Sequence, residues 1–177
     1  MSDESVSTIM IGRIETGYFI HVVGRGTCRE SAALEQFATQ AFLAENCAVT
    51  IDLFGCDHLD STFLGCLVTL HKRFGVGHPS RFVVAASPEK VQKLLTPSKL
   101  DKFLEITDRS PRIKDTLMIL PESKVDQLQM GRHVMECHRL LADLGGPNAA
   151  SFAAIADQIG RELAAEQAAT VKSHSGP

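Results

Sequence analysis

Ile51-Asp52-Leu53-Phe54-Gly55-Cys56-Asp57-His58-Leu59-Asp60-Ser61-Thr62-Phe63-Leu64-Gly65 is the stretch that decides the fold. Val49 to Leu53 is a compact apolar run of strand type that ends in a loop. An Asp-Ser-Thr cluster then opens a segment in which Phe63, Leu67, Leu70 and Phe74 recur at helical spacing, flanked by Leu64 and Val68. Asp, Ser and Thr are the preferred helix N-caps, so Asp60 is expected to cap this helix. Ser61 and Thr62 then stand where free backbone N–H groups and the positive end of the helix dipole favour an added phosphate.

Upstream, Ile9 to Arg13 and Tyr18 to Val23 are short β-type runs separated by Glu15-Thr16-Gly17, the spacing of a hairpin. Gly24-Arg25-Gly26-Thr27 breaks the second run, and Leu34, Phe37, Ala41 and Phe42 predict a helix over Ser31 to Ala44. Downstream, Gly75 and Gly77-His78-Pro79 stop the helix that begins near Ser61. Arg81 to Ala86 reads as a buried strand, and Ser87-Pro88-Glu89 as a helix start that Pro97 ends. Leu100, Phe103, Leu104 and Ile106 predict a brief turn or short helix leading into another strand, and Thr116 to Leu120 either a last strand or the start of a tail helix. Alternation of short strands and helices predicts an α/β fold, a mixed β-sheet covered by α-helices.

The tail differs in character. Met130, Val134, Cys137, Leu141 and Leu144 form one helical stripe, Gly145-Gly146-Pro147 ends it, and Phe152, Ile155, Ile159 and Leu163 form a second. The expected organisation is a domain over 1–120, a C-terminal helical hairpin extension over 121–170 and a disordered tail over 171–177. The hairpin's apolar stripes suit packing on the domain, presentation to a partner, or pairing of two copies in a homodimer.

Composition excludes several classes. Of 177 residues, 44% are hydrophobic and 22% charged, enough for a real core. A net charge of -3 gives no basic patch for direct nucleic-acid binding. Met1 to Thr8 carries no basic-then-apolar leader, and no apolar run reaches membrane-spanning length, so a cytoplasmic protein without membrane insertion is expected. The five cysteines are scattered, with no Cys-x-x-Cys pair, which predicts buried reduced thiols and no metal. His133, Cys137 and His138 lack a further ligand at metal spacing and read as a packed helix face. Gly24-x-Gly26-x-x-Arg29 lacks the third glycine of a dinucleotide fingerprint, so a tight turn is expected and no cofactor.

The run VTIDLFGCDHLDSTFLGCLVTLHKRF resembles the STAS domain shared by anti-sigma-factor antagonists and the cytoplasmic tails of sulfate transporters. In that family an apolar strand, a turn and Asp-Ser-Ser-Gly-Leu-Gly lead into an amphipathic helix, and Asp60-Ser61-Thr62-Phe63-Leu64-Gly65 corresponds to this motif. The resemblance implies a non-enzymatic switch in bacterial signal transduction and sigma-factor regulation. The partner it implies is an anti-sigma factor that is also a serine/threonine kinase. It places the phospho-acceptor at Thr62, with Ser61 beside it, and partner contacts at Asp57, His58, Asp60, Ser61, Phe63 and Leu64. Two residues depart from the pattern: Phe63 stands in place of the usual Gly, and Gly24-Arg25-Gly26-Thr27 sits where many members carry Gly-x-Leu-Asp.

Other readings of the same residues remain. Asp60 can be a plain N-cap with Ser61 and Thr62 as first-turn residues. A scaffold or adaptor with the same fold would use Phe63 as a permanent apolar contact and need no phosphate. A hydrolase using Ser61 lacks the Gly-x-Ser-x-Gly elbow.

Overall fold

Strand β2 (Gly17–Gly26) is the spine of the sheet, and the computed structural model describes the chain around it over residues 7–45, 47–114 and 116–174, the side chains of 171–174 apart. It pairs antiparallel with β1 (Thr8–Ile14) through the Glu15-Thr16 turn and parallel with β3 (Ala48–Asp52). Helix α1 (Cys28–Glu45) makes the crossover between β2 and β3. Strand β4 (Cys56–Leu59) is followed by helix α2 (Ser61–Leu70), which loosens into a π-type turn over His71–Gly75. Then come β5 (Phe82–Ala85), a short helix α3 (Pro88–Lys90) widening into a second π turn over Val91–Leu95, β6 (Ile106–Thr107) and β7 (Met118–Ile119). The order across the mixed sheet is β6-β5-β3-β2-β1-β7, with β4 paired to β2 off this path. Helices α4 (Gln127–Asp143) and α5 (Ala149–His174) close the chain as a hairpin. Among the described residues no helix is long and apolar enough to cross a membrane.

Side-chain alternation decides where the helices go. Ile9, Ile20, Val22, Val49, Ile51, Phe82 and Val84 share one sheet face and pack with Leu34, Ala38 and Phe42 of α1 and Phe63, Leu67 and Leu70 of α2. The stripe read from Phe63 to Phe74 is buried throughout. Helix α4 lies on α2 and α1, and its Cys137 and Leu141 join the same core. Among the described residues the opposite sheet face carries no helix. An irregular strap over 108–114 crosses it: Ser110 Oγ donates to the buried Asp52 carboxylate at 2.9 Å, and Lys114 N donates to Arg13 O at 3.0 Å. Leu117 and Ile113 crowd Gly12, leaving no room there for a Cβ. Among the described residues the sheet is thus covered by helices on one face only.

Four local expectations change. Gly24-Arg25-Gly26 does not break β2; the strand shifts register between Gly24 and Arg25 and turns from β3 to pair with β4. Cys56 to Leu59, read as loop, is therefore a strand with Cys56 and Leu59 inward and Asp57 and His58 outward. In α5 it is Ala156, not Ile155, that is fully buried; Ile155 stands 41% exposed. Helix α5 continues to His174, so the disorder expected from Val171 gives way to helix over 171–174, and 175–177 lie outside the described residues.

Gly26 is a tight point between β2 and α2. A Cβ there would lie 2.7 Å from Leu59 Cδ2 and 2.8 Å from Phe63 Cδ2. Gly26→Ala overpacks this corner and is expected to cost about 1–3 kcal/mol. Phe63→Leu in the same chain should show a favourable coupling with it, read from urea unfolding of the double-mutant cycle.

Candidate functional site

The site forms where the bulged end of β2, strand β4 and the first turns of α1 and α2 converge. Asp60 adopts extended backbone angles and caps α2, its Oδ1 accepting from Phe63 N at 2.8 Å. Its Oδ2 accepts from Cys28 N at 2.7 Å, so the same carboxylate also holds the first turn of α1. Thr27 and Glu30 add to that turn, Thr27 N donating to Glu30 Oε2 at 3.0 Å. Asp60 N donates to Gly26 O at 2.9 Å, which seats the cap against β2.

Asp57 and His58 project from β4 into solvent. Lys90 Nζ reaches Asp57 Oδ1 at 3.0 Å and also donates to Cys56 O. That hydrogen bond and the ammonium charge hold the Asp57 carboxyl below the usual carboxylate range. Asp57, His58, Asp60 and Ser61 are thus brought to one edge, the first two fully outward and the last two half-buried.

The expected exposure of the remaining site residues is corrected. Thr62 is only 4% exposed, Leu64 is buried and Phe63 is fully buried. The cause is packing on more than one side of α2: Phe63 lies against Gly26 of β2, and α1 and α4 both lie along the helix. Phe63, standing where the motif usually has Gly, fits because Gly26 opposite it has no side chain. A permanent apolar contact between Phe63 and a partner, the adaptor's defining feature, has no exposed ring to use.

Ser61 meets a residue that motif reading kept apart from it. Its Oγ lies 2.9 Å from His138 Nε2 on α4. His138 Nδ1 lies 2.8 Å from Val134 O, and a carbonyl only accepts, so Nδ1 carries the proton and Nε2 accepts from the Ser61 hydroxyl. The same helix brings His133, with Nε2 2.7 Å from Ser31 Oγ and Nδ1 2.9 Å from Glu35 Oε2 on α1. The packed helix face expected of these histidines is correct in placement, but the partners are polar side chains, Ser31 and Glu35 of α1 and Ser61 of α2. The pairing of Ser61 and His138 has the contacts of a nucleophile and base. The imidazole, however, is 4% exposed and abutted by the Phe152 ring at 5.8 Å, packed between helices instead of facing a cleft. Cys66 and Cys137 lie in this seam, and burial pushes both thiols up, so they stay protonated. Only the i, i+4 context of His138 in a strongly amphipathic helix hinted at an inward histidine; its serine partner left no local signal.

Asp60→Ala leaves the amides of Phe63 and Cys28 without their acceptor and is expected to destabilise the fold by about 1–3 kcal/mol, with Asp60→Asn losing less. The urea midpoint measures both.

No family model matches the sequence, and no curated protein matches it. Among solved structures the chain is similar to an anti-sigma factor antagonist from Mycobacterium paratuberculosis. The TM-score is 0.50 and the identity 23%, over 62% of this chain and 92% of that one. At that identity the likeness is one of fold, and the fold is the STAS-like mixed sheet with helices that the Asp60–Gly65 motif implies.

Proposed function

We propose that this protein is a STAS-type interaction switch of the anti-sigma-factor-antagonist kind. It exchanges an anti-sigma factor with serine/threonine kinase activity according to the charge at the Ser61-Thr62 pair. The observation that carries this reading is the placement of Ser61 at the first turn of a capped helix, beside the outward Asp57 and His58. A phosphate at this position adds roughly -1.5 to -2 charges and three acceptor oxygens. The helix N-terminus tolerates that charge locally. A partner docked over Asp57 and Asp60 then meets like-charge repulsion and a larger desolvation cost.

The family motif puts the acceptor at Thr62. Burial of Thr62 makes Ser61, the adjacent hydroxyl, the acceptor we assign in this chain. The similarity in fold to an anti-sigma factor antagonist supports the choice of partner class.

Incubation with the anti-sigma kinase and ATP is expected to label the tryptic peptide Glu30–Lys72 at Ser61, located by fragmentation mass spectrometry, and Ser61→Ala to remove most of that label. Ser61→Asp should weaken binding of the anti-sigma factor by about 5–150-fold in calorimetry. Label confined to a distant residue, or equal affinity for both forms, overturns the proposal.

A further inference from the structure

We propose that α4 is a gate over the α1/α2 face, and that charge placed on Ser61 opens it. This deepens the switch reading above and rests on it for the source of the charge. The gate itself is argued from the contacts of α4.

Helix α4 touches α2 backbone to backbone. A Cβ added at Gly65 would lie 2.4 Å from Cys137 Cβ, 2.5 Å from Cys137 O and 2.6 Å from Cys137 Cα. Contact this close makes the seam all-or-none: α4 is seated on Gly65 or lifted from it. Two hydrogen-bonded histidines hold the seated state, His133 to Ser31 and Glu35 of α1, and His138 to Ser61 of α2. The loop between α4 and α5 is held by Lys99 Nζ, which donates to Gly145 O at 3.2 Å.

The hydroxyl assigned as acceptor is therefore one of the tail's own anchors. The seated imidazole points a lone pair at Ser61 Oγ, and the Phe152 ring packs against it. A phosphoryl group there replaces the donated proton with three acceptor oxygens and negative charge. The new oxygens face the Nε2 lone pair of a buried imidazole, and Asp60 stands next in the chain. Seating is lost. In the transfer itself, the γ-phosphorus of a nucleoside triphosphate on the kinase bonds to Ser61 Oγ and the β–γ bridging P–O bond breaks. The diphosphate leaves, and the hydroxyl proton passes to a base on the kinase.

Coupling of this kind is reciprocal at equilibrium: if charge on Ser61 favours the lifted tail, the lifted tail favours the charged form by the same factor. The seated tail ties up the Ser61 hydroxyl as well as covering the face.

Hydrogen exchange of the full chain tests the gate without any partner. Ser61→Glu and Gly65→Ala are expected to speed exchange of the α4 amides over 127–143 by about 5–150-fold, the range of such couplings. The β2 and β3 amides should keep wild-type protection, which separates lifting of the tail from unfolding. Wild-type α4 protection in both variants overturns the gate, as does slower exchange in Ser61→Glu, which would mean that charge clamps His138. Faster α4 exchange in a chain that no anti-sigma kinase labels leaves the gate standing and removes the switch reading.

Discussion

One carboxylate joins the two helices on which the site is built. Asp60 ends β4, caps α2 and holds the first amide of α1, so two sets of otherwise orphaned helix N–H groups converge on a single side chain. The bulge of β2 makes this convergence geometrically available, because without the turn at Gly24 the strand would continue along β3 and leave β4 unpaired. Gly26 then admits Phe63, and the buried phenylalanine fixes the rotation of α2 about its axis. That rotation sends Thr62 inward and leaves Ser61 at the edge. The departure from the family motif at Phe63 and the glycine-rich stretch around Gly26 are two halves of one contact.

Local pattern was enough to read the elements whose causes are local. The N-cap at Asp60, the apolar stripe from Phe63 to Phe74 and the glycine-proline stop after Leu144 are all written within a few residues of where they act. The short strands were harder. Cys56 to Leu59 is strand only because β2 bends to meet it, a pairing across more than thirty residues of chain. Ile155 and Ala156 show the same limit in a helix. Hydropathy favours Ile at the seam, but the close approach of the two helices at Gly131 of α4 and Gly160 of α5 favours the smaller side chain.

The site was legible in its chemistry and less so in its exposure. Asp57, His58, Asp60 and Ser61 do share an edge. Thr62, Phe63 and Leu64 turn away from it, since helical phase relative to a distant glycine is invisible in a linear motif. The histidines of α4 carry the larger lesson. His133 and His138 read as a packed face, yet each hydrogen-bonds a serine more than seventy residues earlier, and no spacing rule connects such positions.

The strap across the bare sheet face has a consequence for the hairpin. It is pinned at Asp52, Arg13 and Gly12 and ends in β7, so only Pro121 to Val125 separate a fixed strand from the cap of α4. A leash this short reaches about 3.3–3.6 Å per residue. An undocked tail therefore stays at an effective concentration near the millimolar range around its own seat. Any external protein seeking that seat contends with a permanently tethered rival, and its apparent affinity falls in proportion to the fraction of chains left vacant.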